Sequence, residues 1–159
     1  MVADMWKKNK TAQFVADYGL KGIEKNEGMK PIFSLDEWEQ KELKVQDSDI
    51  VINAALADSE DLRMEGLLGV KKLADNQGML FVHEQEGIYP YHMEAMTFNL
   101  DMVYINSAGK VVDITNATAN SGKLYTASGG MAYQYVLELE SGFCTRNGIR
   151  IGSTILIKD

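Results

Sequence analysis

From Asp49 to the last residues, apolar side chains come in short runs or at every second position, a spacing that predicts strands rather than long helices. Asp49–Ala57 opens this region with an apolar run. Further strands are expected around Gly78–His83, Asn99–Ile105, Lys110–Thr115, Tyr133–Glu140 and Ser153–Lys158. Asn106-Ser107-Ala108-Gly109 has the residue types of a hairpin turn, since Asn and Gly tolerate positive φ. In Tyr133–Glu140, Tyr133, Tyr135, Leu137 and Leu139 alternate with Gln134, Val136, Glu138 and Glu140, which predicts a half-buried strand with one wet face. A short helix is expected over Ser59–Leu68, capped by Asp58 or Ser59, with Leu62, Leu67 and Leu68 inward.

Upstream the pattern changes. Met5, Trp6, Phe14, Val15 and Tyr18 form a partial helical stripe that Gly19 would stop, and Gly22, Gly28 and Pro31 punctuate a loop. Ser34-Leu35-Asp36-Glu37 has the form of a capping box, followed by a short helix with Leu35 and Trp38 on one side. Residues 1–47 therefore read as helical. The chain divides into a helical N-terminal extension or arm, 1–48, and a mainly β (α+β) domain, 49–159. Helices this short do not hold alone in water, so the arm must pack on its own domain or on another chain.

The 159 residues suit one domain, or a compact domain with an extension. A net charge of −7 and a pI near 4.9 argue against direct nucleic-acid binding, which needs a cationic face. Lysines gather in the first thirty residues and acids in the next thirty. This fits either an arm docking on an acidic neighbour or ordinary solvated helix faces. A lone cysteine, Cys144, rules out an internal disulfide and reads as a buried small hydrophobe. The start lacks an export signal and no apolar run reaches membrane-spanning length, so the expected location is the cytoplasm or the inside of an assembled particle. Two glycosylation-like triplets, at Asn9 and Asn116, are taken as chance.

One ordered series of tokens runs through the second region. It comprises Arg63, Gly66-Leu67-Leu68, Leu73, Gly78-Met79-Leu80-Phe81, Tyr91-His92-Met93, Leu100-Asp101-Met102-Val103-Tyr104-Ile105, Tyr125 and Tyr135–Glu138. In order and spacing it resembles the domain-of-unknown-function 192 (DUF192) family, over roughly residues 50 to 158. The resemblance implies a small barrel-like β domain and no settled activity. It also exposes a departure. Relatives carry Met-Lys-Asn-Thr where this chain has Met93-Glu94-Ala95-Met96, and some carry cysteines where Ala117–Lys123 stands here. An ammonium, an amide and a hydroxyl at one rim would suit a small polar ligand. Glu94, Ala95 and Met96 reverse the charge and delete the other two groups.

The candidate chemistry is sparse. His83, Glu84, Glu86 and His92 fall within ten residues, but they straddle a turn and match no ligand spacing, so no metal or cofactor is expected. Asp101 and Glu138 would make an acid–base pair only if they faced each other. Asp101 reads better as the partner of a base such as Arg63 or of a backbone group. Ser128-Gly129-Gly130 and Ser121-Gly122-Lys123 read as turns, and the scattered methionines as core filler. The leading expectation is a non-enzymatic structural or interaction module with no catalytic residues, working among protein subunits of a larger assembly such as a virion capsid or tail. Trp6, Phe14, Tyr18 and Trp38 would be its contact anchors. The competing expectation is a small-ligand-binding protein or enzyme with a site near Arg63, His92, Asp101 and Tyr125.

Overall fold

The structure, a computed structural model, describes residues 35–157. Nine strands and two short helices follow one another: β1 (Gln40–Val45), β2 (Val51–Ala57), α1 (Glu60–Glu65), β3 (Gln77–Gly87), β4 (Tyr91–His92), β5 (Leu100–Ile105), β6 (Val111–Ala117), β7 (Leu124–Tyr125), β8 (Tyr133–Glu140), α2 (Phe143–Asn147) and β9 (Ile155–Leu156). Seven strands form one curled sheet in the order β6-β5-β8-β3-β2-β1-β9, and β4 pairs with β7 separately. All pairings in the large sheet are antiparallel except β2–β3, whose parallel crossover carries α1. The chain thus has the mainly β architecture that its pattern predicts, with the barrel-like curl that the family resemblance implies.

The curl brings the two ends of the sheet together. Residues just before β9 reach the start of β6: Val111 N donates to Ser153 O at 2.9 Å, Gly152 N to Val111 O at 2.9 Å, and Ile155 N to Gly109 O at 2.8 Å. On its other side β9 pairs with β1, and Gln46 N donates to Thr154 O at 2.9 Å. The C-terminal segment is therefore a seam between the sheet's two edges, which shields backbone groups that an open edge would expose.

Two apolar layers cover the two faces, as strand alternation requires. Leu43, Ile52, Leu80, Val103, Leu137 and Ile155 fill the inner layer, with Phe143 and Cys144 of α2. Met79, Phe81, Met102, Tyr104 and Val136 begin the outer layer. Leu67, Leu68, Met93, Met96 and Tyr125, from the α1 region and the β4–β7 pair, complete it. In β3, Gly78 is a close-approach position: a Cβ there would lie 2.8 Å from both Glu138 O and the Leu139 side chain.

The helix expected over Ser59–Leu68 forms but is shorter, Glu60–Glu65, and Leu67 and Leu68 are buried from the turn that follows it. Ser59 is the N-cap, accepting from Leu62 N at 3.3 Å. The hairpin between β5 and β6 also forms, with Asn106 Oδ1 accepting from Ala108 N and Lys110 N and with Gly109 at φ +84°.

Two expectations need correction. Residues 40–45 are not helical: Leu35–Glu37 makes a single 3-10 turn and β1 follows, pairing with β2 from Gln40↔Ala55 to Lys44↔Val51. Gln, Lys, Glu and Leu favour helices weakly, and burial of Leu43 and Val45 in the inner layer overrides that preference. The described part of the supposed arm thus contributes a strand to the sheet, while the stripe from Met5 to Tyr18 and the cap at Ser34 lie outside the described residues. Secondly, the face of β8 expected to be wet is covered along most of its length. The strand sits between β5 and β3, Val136 and Glu138 are buried with Glu138 only 1% exposed, Gln134 is half-buried, and Glu140 at the strand end is exposed. No helix among the described residues is long and apolar enough to cross a membrane.

Candidate functional site

Strand parity decides which polar residues can meet. On β5, Met102 and Tyr104 point into the outer layer and Val103 and Ile105 into the inner one, which puts Asp101 on the inner face. Its carboxylate accepts from Asn116 Nδ2 at 3.0 Å and from Cys144 N at 3.0 Å, the second N–H belonging to α2. Asp101 therefore serves a backbone group, one of the two roles expected for it, and does not pair with Arg63.

On β8, Val136 points into the outer layer, and Glu138 follows it on that face. It stands across from Met79 of β3 and Met102 of β5. Burial raises its pKa above the usual carboxylate value. Asp101 and Glu138 lie on neighbouring strands but project from opposite faces of the sheet, so the acid–base pair does not form.

The outer face gathers a ring of aromatic and polar groups. His83 Nε2 and the Tyr91 hydroxyl share a hydrogen bond of 2.7 Å, and the His83 ring stacks flat on Tyr89 at 3.6 Å. Burial and then the positive charge of Arg63 lower the His83 pKa to about 3, so the ring is neutral at physiological pH. Arg63 Nη1 donates to Val82 O at 2.8 Å, which ties α1 to β3. Tyr133 donates to Tyr89 O at 2.7 Å and accepts from Tyr89 N at 3.1 Å. Burial lifts the Tyr91 phenol well above its ordinary value, and Glu138 lifts it further.

The β4–β7 pair forms the rim of this face. Its register sets Tyr91 opposite Tyr125 and His92 opposite Leu124. Tyr125 Oη accepts from Thr118 N at 3.2 Å and bonds Ser121 Oγ at 2.7 Å, while His92 is buried. Met93–Met96 is a tight turn closed by Met96 N donating to Met93 O at 3.1 Å, with Ala95 at φ +63°. Asn120 braces it: Asn120 N donates to Met93 O at 2.9 Å and its Oδ1 accepts from Ala95 N at 3.3 Å. Met93 and Met96 are buried in the outer layer.

Of the four candidate ligand residues, Arg63, His92 and Tyr125 belong to outer-face elements and Asp101 to the inner face, so one pocket does not unite them. Trp38, expected as a partner contact, is half-buried against the outer layer, whereas Trp6, Phe14 and Tyr18 lie outside the described residues. Among the described residues no three His, Cys, Asp or Glu side chains are grouped to hold a metal ion. Cys144 is buried, and burial together with Asp101 drives its thiol pKa upward, the reverse of an activated nucleophile.

His83 and Glu138, singled out from sequence for a metal set and an acid–base pair, and Tyr133, read there only as a strand residue, are placed by the fold beside Tyr91 on one face. Period-2 counting along β3 and β8 was the available signal, but it needed the knowledge that both faces are covered.

The DUF192 model, described as "Uncharacterized ACR", matches residues 42–157, and the chain belongs to that family. Among solved structures it is similar to a Sinorhizobium meliloti 1021 protein described as a "putative transcription regulator". That match has TM-score 0.70 and 24% identity, and covers 76% of this chain and 95% of the other. It is also similar to a protein of unknown function from Novosphingobium aromaticivorans DSM 12444, with TM-score 0.68 and 22% identity, covering 82% and 94% respectively. No curated protein matches. These likenesses extend to the fold.

Proposed function

We propose that this domain is a non-enzymatic interaction module, a β scaffold that holds protein partners rather than transforming a substrate. The observation that carries this reading is the separation of Asp101 and Glu138 onto opposite faces of the sheet. Supporting it, His83, Tyr125 and Asp101 are each spent on hydrogen bonds that join elements of the fold. The rim turn also carries Glu94, Ala95 and Met96 where the family resemblance leads one to expect Lys-Asn-Thr.

In this reading the stretch before the β domain is the contact arm, with Trp6, Phe14 and Tyr18 as its aromatic anchors. Trp38 is set apart, because it packs on the domain's own core. A subunit of a particle, such as a capsid or tail component, is the setting this arm-plus-domain organisation suits. The test is the solution mass of the full chain by light scattering, beside a Trp6→Ala/Phe14→Ala variant. A defined oligomer for the former and a folded monomer for the latter is the expected result. A full chain that stays monomeric at every concentration refutes assembly through the arm.

A further inference from the structure

The seam frames a groove. The β1–β2 turn, Lys110 just before β6, and residues 147, 148 and 150–154 line a cavity of about 770 Å³ at the mouth of the curled sheet. Its size falls in the range of small-molecule sites, which occur by preference at barrel mouths. Two cations line it, Lys110 and Arg150, against one acid, Asp47. Both side chains are exposed, and neither forms an ion pair among the described residues, in contrast to Lys44 with Glu42 and Arg146 with Glu140. On a chain of net charge −7, two unspent cations in one concavity form a local reversal of the surface field.

The hydroxyl-bearing residues Ser48, Ser153 and Thr154 line the same groove, and Ile151, 63% exposed, adds an apolar wall. Of these hydroxyls, Ser48 Oγ already accepts from Ile50 N and Ser153 Oγ from Arg150 N, so each can still donate a proton outward. Cations and hydroxyl donors around a space with one apolar side are the complement of a small organic anion. We propose that this mouth binds a small organic oxyanion, a phosphate ester or a carboxylate, through the Lys110 ammonium and the Arg150 guanidinium. Lys110 comes from one edge of the sheet and Arg150 from the seam strand's approach, so the bound anion bridges two segments that meet only through a few backbone bonds. Binding therefore favours the closed sheet and raises the melting temperature by mass action. This site is independent of the interaction reading above.

The experiment is thermal unfolding of the full chain titrated with inorganic phosphate, and separately with citrate, at ionic strength held constant with chloride. The same titrations are run on Lys110→Gln/Arg150→Gln and on Lys44→Gln. The expected result is a saturable rise in melting temperature for the native chain and for Lys44→Gln, weakened at least tenfold in apparent affinity in the double variant. A response to phosphate alone assigns a phosphate ester, and a response to citrate alone assigns a carboxylate. No rise beyond chloride with either anion overturns the proposal, as does an unchanged rise in the double variant. Amide shift mapping on the native chain gives a second readout that needs no substitution. Shifts confined to 46–48, 110 and 147–154 agree with the proposal, and shifts elsewhere oppose it.

Discussion

His83 makes the folded domain sensitive to mild acid, and the effect can be worked out from its surroundings. The ring is 4% exposed, stacked on Tyr89 and bonded to the Tyr91 hydroxyl, and its pKa falls from 6.5 to about 3. A base whose folded pKa is depressed stabilises the fold above its unfolded pKa, and that stability drains away as pH falls toward the folded value. The window here runs from about 6.5 down to about 3. At pH 5 the folded ring is still neutral, so the loss depends almost wholly on proton uptake by the unfolded chain and reaches about 2 kcal/mol relative to pH 7.

Burial raises the pKa of Glu65 and Glu138, and those groups act in the opposite direction, adding stability as pH falls through the carboxylate range. The comparison that isolates His83 is therefore a double difference: urea unfolding at pH 7 and pH 5, for the native chain and for His83→Gln. The variant starts less stable because the Tyr91 contact changes. On acidification, however, it should lose about 2 kcal/mol less than the native chain. Equal losses in the two proteins would refute a neutral, buried His83.

Two further outcomes follow from backbone geometry. Ala95 holds φ +63° at the second central position of its turn, where Asn or Gly fits better, so Ala95→Asn should raise stability by about 0.5–1 kcal/mol in denaturant titrations; a loss would mean that the turn relaxes otherwise. At Gly109, with φ +84°, a Cβ would stand 2.7 Å from Ile155 O, so Gly109→Ala should cost about 2 kcal/mol or more by the same assay, and a neutral result would remove the seam from that position.

The strands of the large sheet from β2 onward were legible because their apolar runs and turn residues are local signals, as at Asn106–Gly109 and Ser59, whereas the two-residue strands β4 and β7 are too short to leave a periodic signal. β1 was hidden by residue types that suit a helix, and only the partner strand β2 reveals its register. The buried face of Glu138 was hidden for a related reason. A charged residue alternating with apolar ones looks solvated until the layer above it is known. Asp101 was half legible: its strand and its helper role could be inferred, but the N–H of Cys144 lies 43 residues away. The groove at Lys110 and Arg150 left no mark in the sequence, since its walls come from three separated segments.

The seam also bears on how the domain reaches its fold. Its contacts join Lys44 and Val45 to Leu156 and Ile155, residues from opposite ends of the described chain, while the hairpin of β5 and β6 joins near neighbours. Contacts between distant residues carry the larger loop-closure cost and tend to form late. The sheet can therefore pair strand by strand while Leu43, Leu80, Val103 and Leu137 still face an unsealed interior. In that interval the domain is an open apolar trough, and a slow closing step is its most aggregation-prone moment.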